Sequence, residues 1–130
     1  MEAAFVLLVA CVAAGALCLC LLPSRRTPSE HAYREARQRA EDLLAEVLGE
    51  EEYRELKRRG YLEIPSPSWP SRVYRVPRSR DQVRVYESGR ALMRLCVGPV
   101  ERVPDADVVL IHKLMIEGDE QEYLRIANRW

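Results

Sequence analysis

Seven arginines, Arg72, Arg75, Arg78, Arg80, Arg84, Arg90 and Arg94, share a 23-residue stretch with only two carboxylates, Asp81 and Glu87, a local excess of five positive charges. A guanidinium presents five donors in a planar fork that matches phosphate or carboxylate oxygens. Tyr74 and Tyr86 stand among them. Arg72, Arg75, Arg84, Tyr86 and Arg94 therefore form the candidate anion-binding set. On one sheet face they could hold single-stranded nucleic acid by phosphate contact and base stacking. They could equally lie against anionic lipid headgroups, at on the order of 1 kcal/mol per basic residue. The competing expectation is a wetted sheet face whose arginines pair with acidic helices, chiefly at Glu50 to Glu55 and Asp119 to Glu122. Composition favours the latter, since 20 basic residues balance 20 acidic ones. Zero net charge excludes a chain whose whole surface is built for nucleic acid. Eighteen of the basic residues are Arg, with only Lys57 and Lys113 as Lys, a bias that GC-rich coding explains as well as anion recognition does.

Groups able to do acid, base or nucleophilic chemistry are few: His31, His112, Cys96, Asp105, Asp107, Glu117 and Asp119. One Cys and two scattered His do not make the paired, short-spaced ligand set of a tetrahedral zinc site. Cys96 with His112 as its base lacks an identifiable orienting group and oxyanion donor, so Cys96 reads as a buried small hydrophobe. The acidic clusters around Asp105 and Asp119 lack the alternating oxygen ligands of a calcium loop and suit helix caps. The six glycines are scattered singly, so no loop cradles a phosphate. The expectation is no catalytic residue, no metal and no cofactor. Trp69, set among prolines, is a candidate partner contact, with folding back over the core as its alternative.

Ala3 to Leu22 is a run of 20 residues without a charge, which as a helix spans roughly 30 Å, the hydrocarbon thickness of a bilayer. The chain starts Met1-Glu2 and the run is uninterrupted, unlike a cleaved signal peptide with its basic start and short apolar core. Leu8-Val9-Ala10-Cys11 superficially matches a lipoprotein box, but only six apolar residues precede it and apolar residues continue beyond it. Arg25 and Arg26 follow the run while Glu2 precedes it, so the positive-inside rule puts the rest of the chain in the cytoplasm. Small residues four apart, Cys11 with Gly15 and Ala10 with Ala14, would permit close helix approach in lipid. Three of the four cysteines lie in this run, leaving Cys96 alone and no disulfide framework.

The elements that must position the arginines follow from periodicity. Thr27-Pro28-Ser29-Glu30 predicts a capped helix start, and a helix over 28–48 ends at Gly49. Its apolar stripe widens only from Ala40, so its first turns read as a solvated stalk. Glu50 to Glu52 open a second helix and Lys57 to Arg59 close it before Gly60, as the helix dipole favours. Pro65 to Ser71, with three prolines, reads as an irregular strap. Three strands follow, over 72–76, 82–87 and 91–97, the last two joined by a Ser88-Gly89 turn. Val83 and Val85 share one face while Arg84 and Tyr86 share the other. Helices over 105–117 and from Asp119 onward, with Tyr123, Leu124 and Ala127 inward, should cover the apolar face, and Asp105 or Asp107 should cap the first of these.

The chain is thus expected to be α+β: an N-terminal transmembrane helix over 1–23, a juxtamembrane stalk helix over 24–49, and a small cytoplasmic domain over 50–130. That domain should hold a short helix and a three-stranded antiparallel meander covered by two C-terminal helices. The expected function is a single-pass, membrane-anchored, non-enzymatic protein-interaction or scaffolding module with a protein partner. The alternative is an Arg/Tyr sheet face that binds nucleic acid or anionic headgroups.

Overall fold

Charge and glycine punctuate the first two helices as the helix dipole and the left-handed backbone require. The structure, a computed structural model, describes residues 29–99 and 101–130. The apolar run Ala3 to Leu22, Arg25 and Arg26, and the Thr27 cap lie outside the described residues. No helix among those described is long and apolar enough to cross a membrane. Helix α1 (Glu30–Leu48) is capped by Ser29, whose hydroxyl accepts from the Ala32 amide at 3.3 Å. Helix α2 (Glu50–Arg59) carries three glutamates in its first turn and Lys57, Arg58 and Arg59 in its last. Gly60 ends it at φ 79, a conformation that a side chain disfavours. The first ten residues of α1 stay outside the core, which α1 enters only at Ala40, Leu44 and Leu48. Those first turns are largely exposed, with Tyr33 half-buried.

The sheet is larger than expected. Five antiparallel strands lie in sequence order: β1 (Tyr61–Pro65), β2 (Arg72–Pro77), β3 (Val83–Glu87), β4 (Arg90–Cys96) and β5 (Asn128–Arg129). The three expected strands are the middle three, and Ser88-Gly89 turns the β3–β4 hairpin with both residues at positive φ, 49 and 78. That is the geometry of a type I′ turn, whose twist matches the strands it joins. β1 was not expected, and its last residue, Pro65, was read as the start of the strap: Leu62 and Ile64 alternate inward at 3% and 1% exposure. Pro65 is tolerated because it is the last residue of an edge strand. Two helices, α3 (Asp105–Gly118) and α4 (Glu120–Ile126), precede β5. Pro104 rather than an aspartate sits at the start of α3, with no side-chain cap, while Asp119 caps α4 by accepting from the Glu122 amide at 2.9 Å.

All these helices gather on one side of the sheet. α3 lies against β1 and β2, α1 packs on α3 and α2, and α4 packs on α3. The pleat turns alternate residues inward, so Leu62, Ile64, Tyr74, Val76, Val83, Val85 and Leu95 meet Leu44, Leu56, Val109, Ile116 and Tyr123 in one core. Cys96 follows Leu95 in β4 and is exposed, not a buried hydrophobe as its isolation suggested. Strand parity, invisible from the residue type, decides this.

One buried carboxylate fastens the strap. Glu120, 4% exposed, accepts from the Ser66 hydroxyl at 2.6 Å, the Ser68 amide at 3.0 Å and the Tyr74 hydroxyl at 2.5 Å. The Ser66 hydroxyl in turn accepts from the Trp69 amide at 2.9 Å. Burial pushes the Glu120 carboxyl up, but the donors from Ser66, Tyr74 and Ser68 outweigh it and hold its pKa below the usual value. Its charge therefore stabilises the fold above the ordinary carboxylate range, and that contribution is lost as pH falls through the lowered value.

Glu120→Gln keeps the shape but removes the charge that three donors address. It should lower the unfolding free energy by about 2–3 kcal/mol in urea titrations at pH 7. The difference between the two proteins should shrink as pH falls below about 4.5.

Candidate functional site

On the face of the sheet away from the helices, Arg75, Arg84 and Arg94 converge with the Tyr61, Tyr86 and Trp130 rings. Register sets its layout. Glu63, Arg75, Arg84 and Arg94 are successive partners across β1, β2, β3 and β4, and Trp130 exchanges both backbone hydrogen bonds with Arg94 at 3.1 Å. One cross-strand row therefore carries three guanidinium groups, with a carboxylate at one end and a tryptophan at the other. Like charges directly opposite one another in a sheet are destabilising.

Glu63 relieves only the first of them. Arg75 donates to its carboxylate at 2.8 Å and stacks between two rings, its guanidinium carbon 5.1 Å from the Tyr61 centroid and 4.4 Å from that of Tyr86. Arg84 and Arg94 are exposed, and among the described residues no carboxylate pairs with either, whereas Arg72, Arg75, Arg78 and Arg80 all have partners. Between Tyr86 and Trp130 a groove of about 280 Å³ runs over Arg84, Leu92 and Arg94. The β3–β4 register shifts after Val85, so Leu92 has no direct partner and stands 44% exposed at the groove. Trp130 is 78% exposed.

Two of the expected site residues lie elsewhere. Arg72 has the strand parity of Tyr74 and Val76, which face the core, and its side chain is only 12% exposed; it pairs with Glu87 at 2.9 Å. Its guanidinium carbon stacks 4.1 Å from the Trp69 ring centroid. Trp69, at 38% exposure, stacks on Arg72 and is not among the residues of the core cluster. The partners expected for the arginines also differ. Glu50 pairs with Arg54, Glu55 with Arg58 and Arg59, and Glu122 with Arg125, each within its own helix. Residues three or four apart on a helix meet at no entropic cost of long-range approach, so these acids are engaged locally. The sheet arginines turn to Glu63, Glu87, Glu41 and Asp105 instead.

The groups considered for catalysis are mostly tied into structure. Asp105 lies 3.4 Å from Arg80, Glu117 2.5 Å from Lys113, and Asp119 serves as a cap. His31 lies 3.2 Å from Glu35 on the exposed part of α1. Cys96 and His112 line a common cavity of about 210 Å³ beside Arg80 and Asp81. His112 is 3% exposed, with Nδ1 2.9 Å from the Tyr123 hydroxyl, and burial pushes its pKa down to about 4. An imidazole held neutral to so low a pH is a weak proton acceptor at neutrality. No group of three or more His, Cys, Asp or Glu able to hold a metal occurs among the described residues.

Trp130, Leu92, Tyr61 and Glu63 belong to the open face and were missed. Asn128-Arg129 is too short a strand to show alternation, and a bulge cannot be read from residue types.

Because the folded His112 pKa is depressed, the neutral ring stabilises the fold fully above its unfolded value near 6.5, and that stability drains away toward pH 4. Urea titrations should show unfolding free energy falling with a limiting slope of about 1.4 kcal/mol per pH unit from this group. His112→Leu should flatten that limb between pH 6 and 4.5, whatever its effect at pH 7.

No protein-family model, no curated protein and no solved structure matches this chain.

Proposed function

We propose that the chain is a single-pass, membrane-anchored, non-enzymatic interaction module that docks a protein partner on the open face of its sheet, on the cytoplasmic side. The observation that carries the docking reading is the pair of exposed, unpartnered guanidinium groups of Arg84 and Arg94, set between the Tyr86 and Trp130 rings. Arg, Tyr and Trp are the residue types in which interface energy concentrates. The groove, about 280 Å³, falls just under the range of roughly 300–1,000 Å³ typical of small-molecule pockets, which suits side chains of a partner better than a cofactor. Membrane anchorage rests on the uncharged run Ala3 to Leu22. The exposed first turns of α1 fit a stalk between that run and the domain.

The second reading, nucleic acid or anionic headgroups on the same face, draws on the same two arginines. It is weaker because Arg75 is already neutralised by Glu63 and covers the ring of Tyr86. One stacking surface for a base, on Tyr86, is thereby taken, which leaves the Trp130 ring as the open one.

The full chain should resist alkaline carbonate extraction from membranes. A photo-crosslinking amino acid at Leu92 should give a discrete protein adduct that the same probe at Glu46, on the outer side of α1, does not give. Extraction into the supernatant would remove the anchor, and identical adduct patterns from the two positions would remove the docking face.

A further inference from the structure

We infer that the occupant of the groove between Tyr86 and Trp130 is an acidic segment of a protein partner, carrying at least two carboxylates beside an aliphatic or aromatic side chain. The inference rests on the docking reading above and supplies its chemistry. Arg84 and Arg94 are direct cross-strand partners, so their Cβ atoms stand about 4.5–5.5 Å apart. Carboxylates two residues apart on an extended segment are separated by roughly 6.6–6.8 Å, within reach of both flexible guanidinium groups. The like-charge contact that destabilises the free sheet becomes a paired one on binding, so electrostatic strain in the unbound protein is released only by an anion. Leu92 and Trp130, at 44% and 78% exposure, supply an apolar wall on the same groove, which a bare inorganic anion would leave unused.

Charge rules against the other occupants. A second copy docked symmetrically through this face would set the arginine row against itself, and the chain has no net charge to offset it. Nucleic acid needs a track of cations and open rings. Here two unpartnered arginines in the row are followed by one that Glu63 has neutralised and by a tyrosine ring that Arg75 covers. A flat headgroup layer would engage the arginines but not a groove walled by Leu92 and Trp130.

The test is selection from a random 12-residue peptide display library on the full chain in zwitterionic nanodiscs, followed by anisotropy titration of the recovered peptides. Recovered sequences should carry two or more Asp or Glu with an aliphatic or aromatic neighbour. Replacing their acids by Lys, or using the Arg84→Gln/Arg94→Gln double variant, should weaken binding at least tenfold, and Trp130→Ala severalfold. The double variant should melt no earlier than the parent, because it removes a repulsion. Neutral or basic selected sequences, or recovery of no binders, would overturn the inference, as would tighter binding of oligo-dT or of phosphatidylserine vesicles than of any selected peptide. If the Leu92 adduct persists while acidic peptides fail, the partner chemistry alone is wrong. If the adduct is also absent, the docking reading falls with it.

Discussion

The carboxylate of Glu120 is the joint on which the rest of the molecule turns. It gathers the Ser66 hydroxyl, the Ser68 amide and the Tyr74 hydroxyl at 2.5–3.0 Å, and so ties the proline strap, β2 and the first residue of α4 together. A buried carboxylate without donors would neutralise itself; three donors keep this one charged. The consequence travels along the chain. α4 runs only from Glu120 to Ile126 before β5 pairs with β4, so the chain between the Glu120 joint and the Trp130–Arg94 pair is short.

The second constraint is that the helices cover one face only. An antiparallel sheet can bear this because its alternation separates apolar from polar side chains. Among the residues left in water, three arginines stand in a row and only one is neutralised. His112 shows the contrasting case, a polar group taken fully inside, bonded to Tyr123 and held neutral by its burial. Its contribution is to stability and its pH dependence, whereas Arg84 and Arg94 of the row stay in water.

Much of this was legible from residue pattern, and the remainder failed for identifiable reasons. Helices over Glu30–Leu48 and Glu50–Arg59 announced themselves through glycine stops and the placement of charge at their ends. The Ser88-Gly89 hairpin and the inward Val83 and Val85 followed from turn chemistry and alternation. β1 was hidden because Pro65 looked like the start of the strap rather than the end of an edge strand, and β5 because two residues carry no period. Ion-pair partners were misassigned because Glu50, Glu55 and Glu122 are taken by neighbours on their own helices. Arg75, Arg84 and Arg94 were singled out by local charge excess, and Tyr86 by sharing the strand face of Arg84. Trp130 and Leu92, which complete their groove, depend on a long-range pairing and on a bulge. Glu120 gave no signal at all, since a carboxylate opening a helix is ordinary and only the strap folded over it makes it the anchor.

On the helices, Leu43 and Val47 of α1 and Leu114 of α3 are also exposed, at 48%, 45% and 60%. The most direct measurement is a chemical-shift map of the isotope-labelled full chain in nanodiscs, titrated with its crosslinked partner once that protein is identified. Perturbations should concentrate on Arg84, Leu92 and Arg94 and on the Trp130 indole. Perturbations centred on Leu43, Val47 and Leu114, with the arginine row unmoved, would contradict docking on the open face.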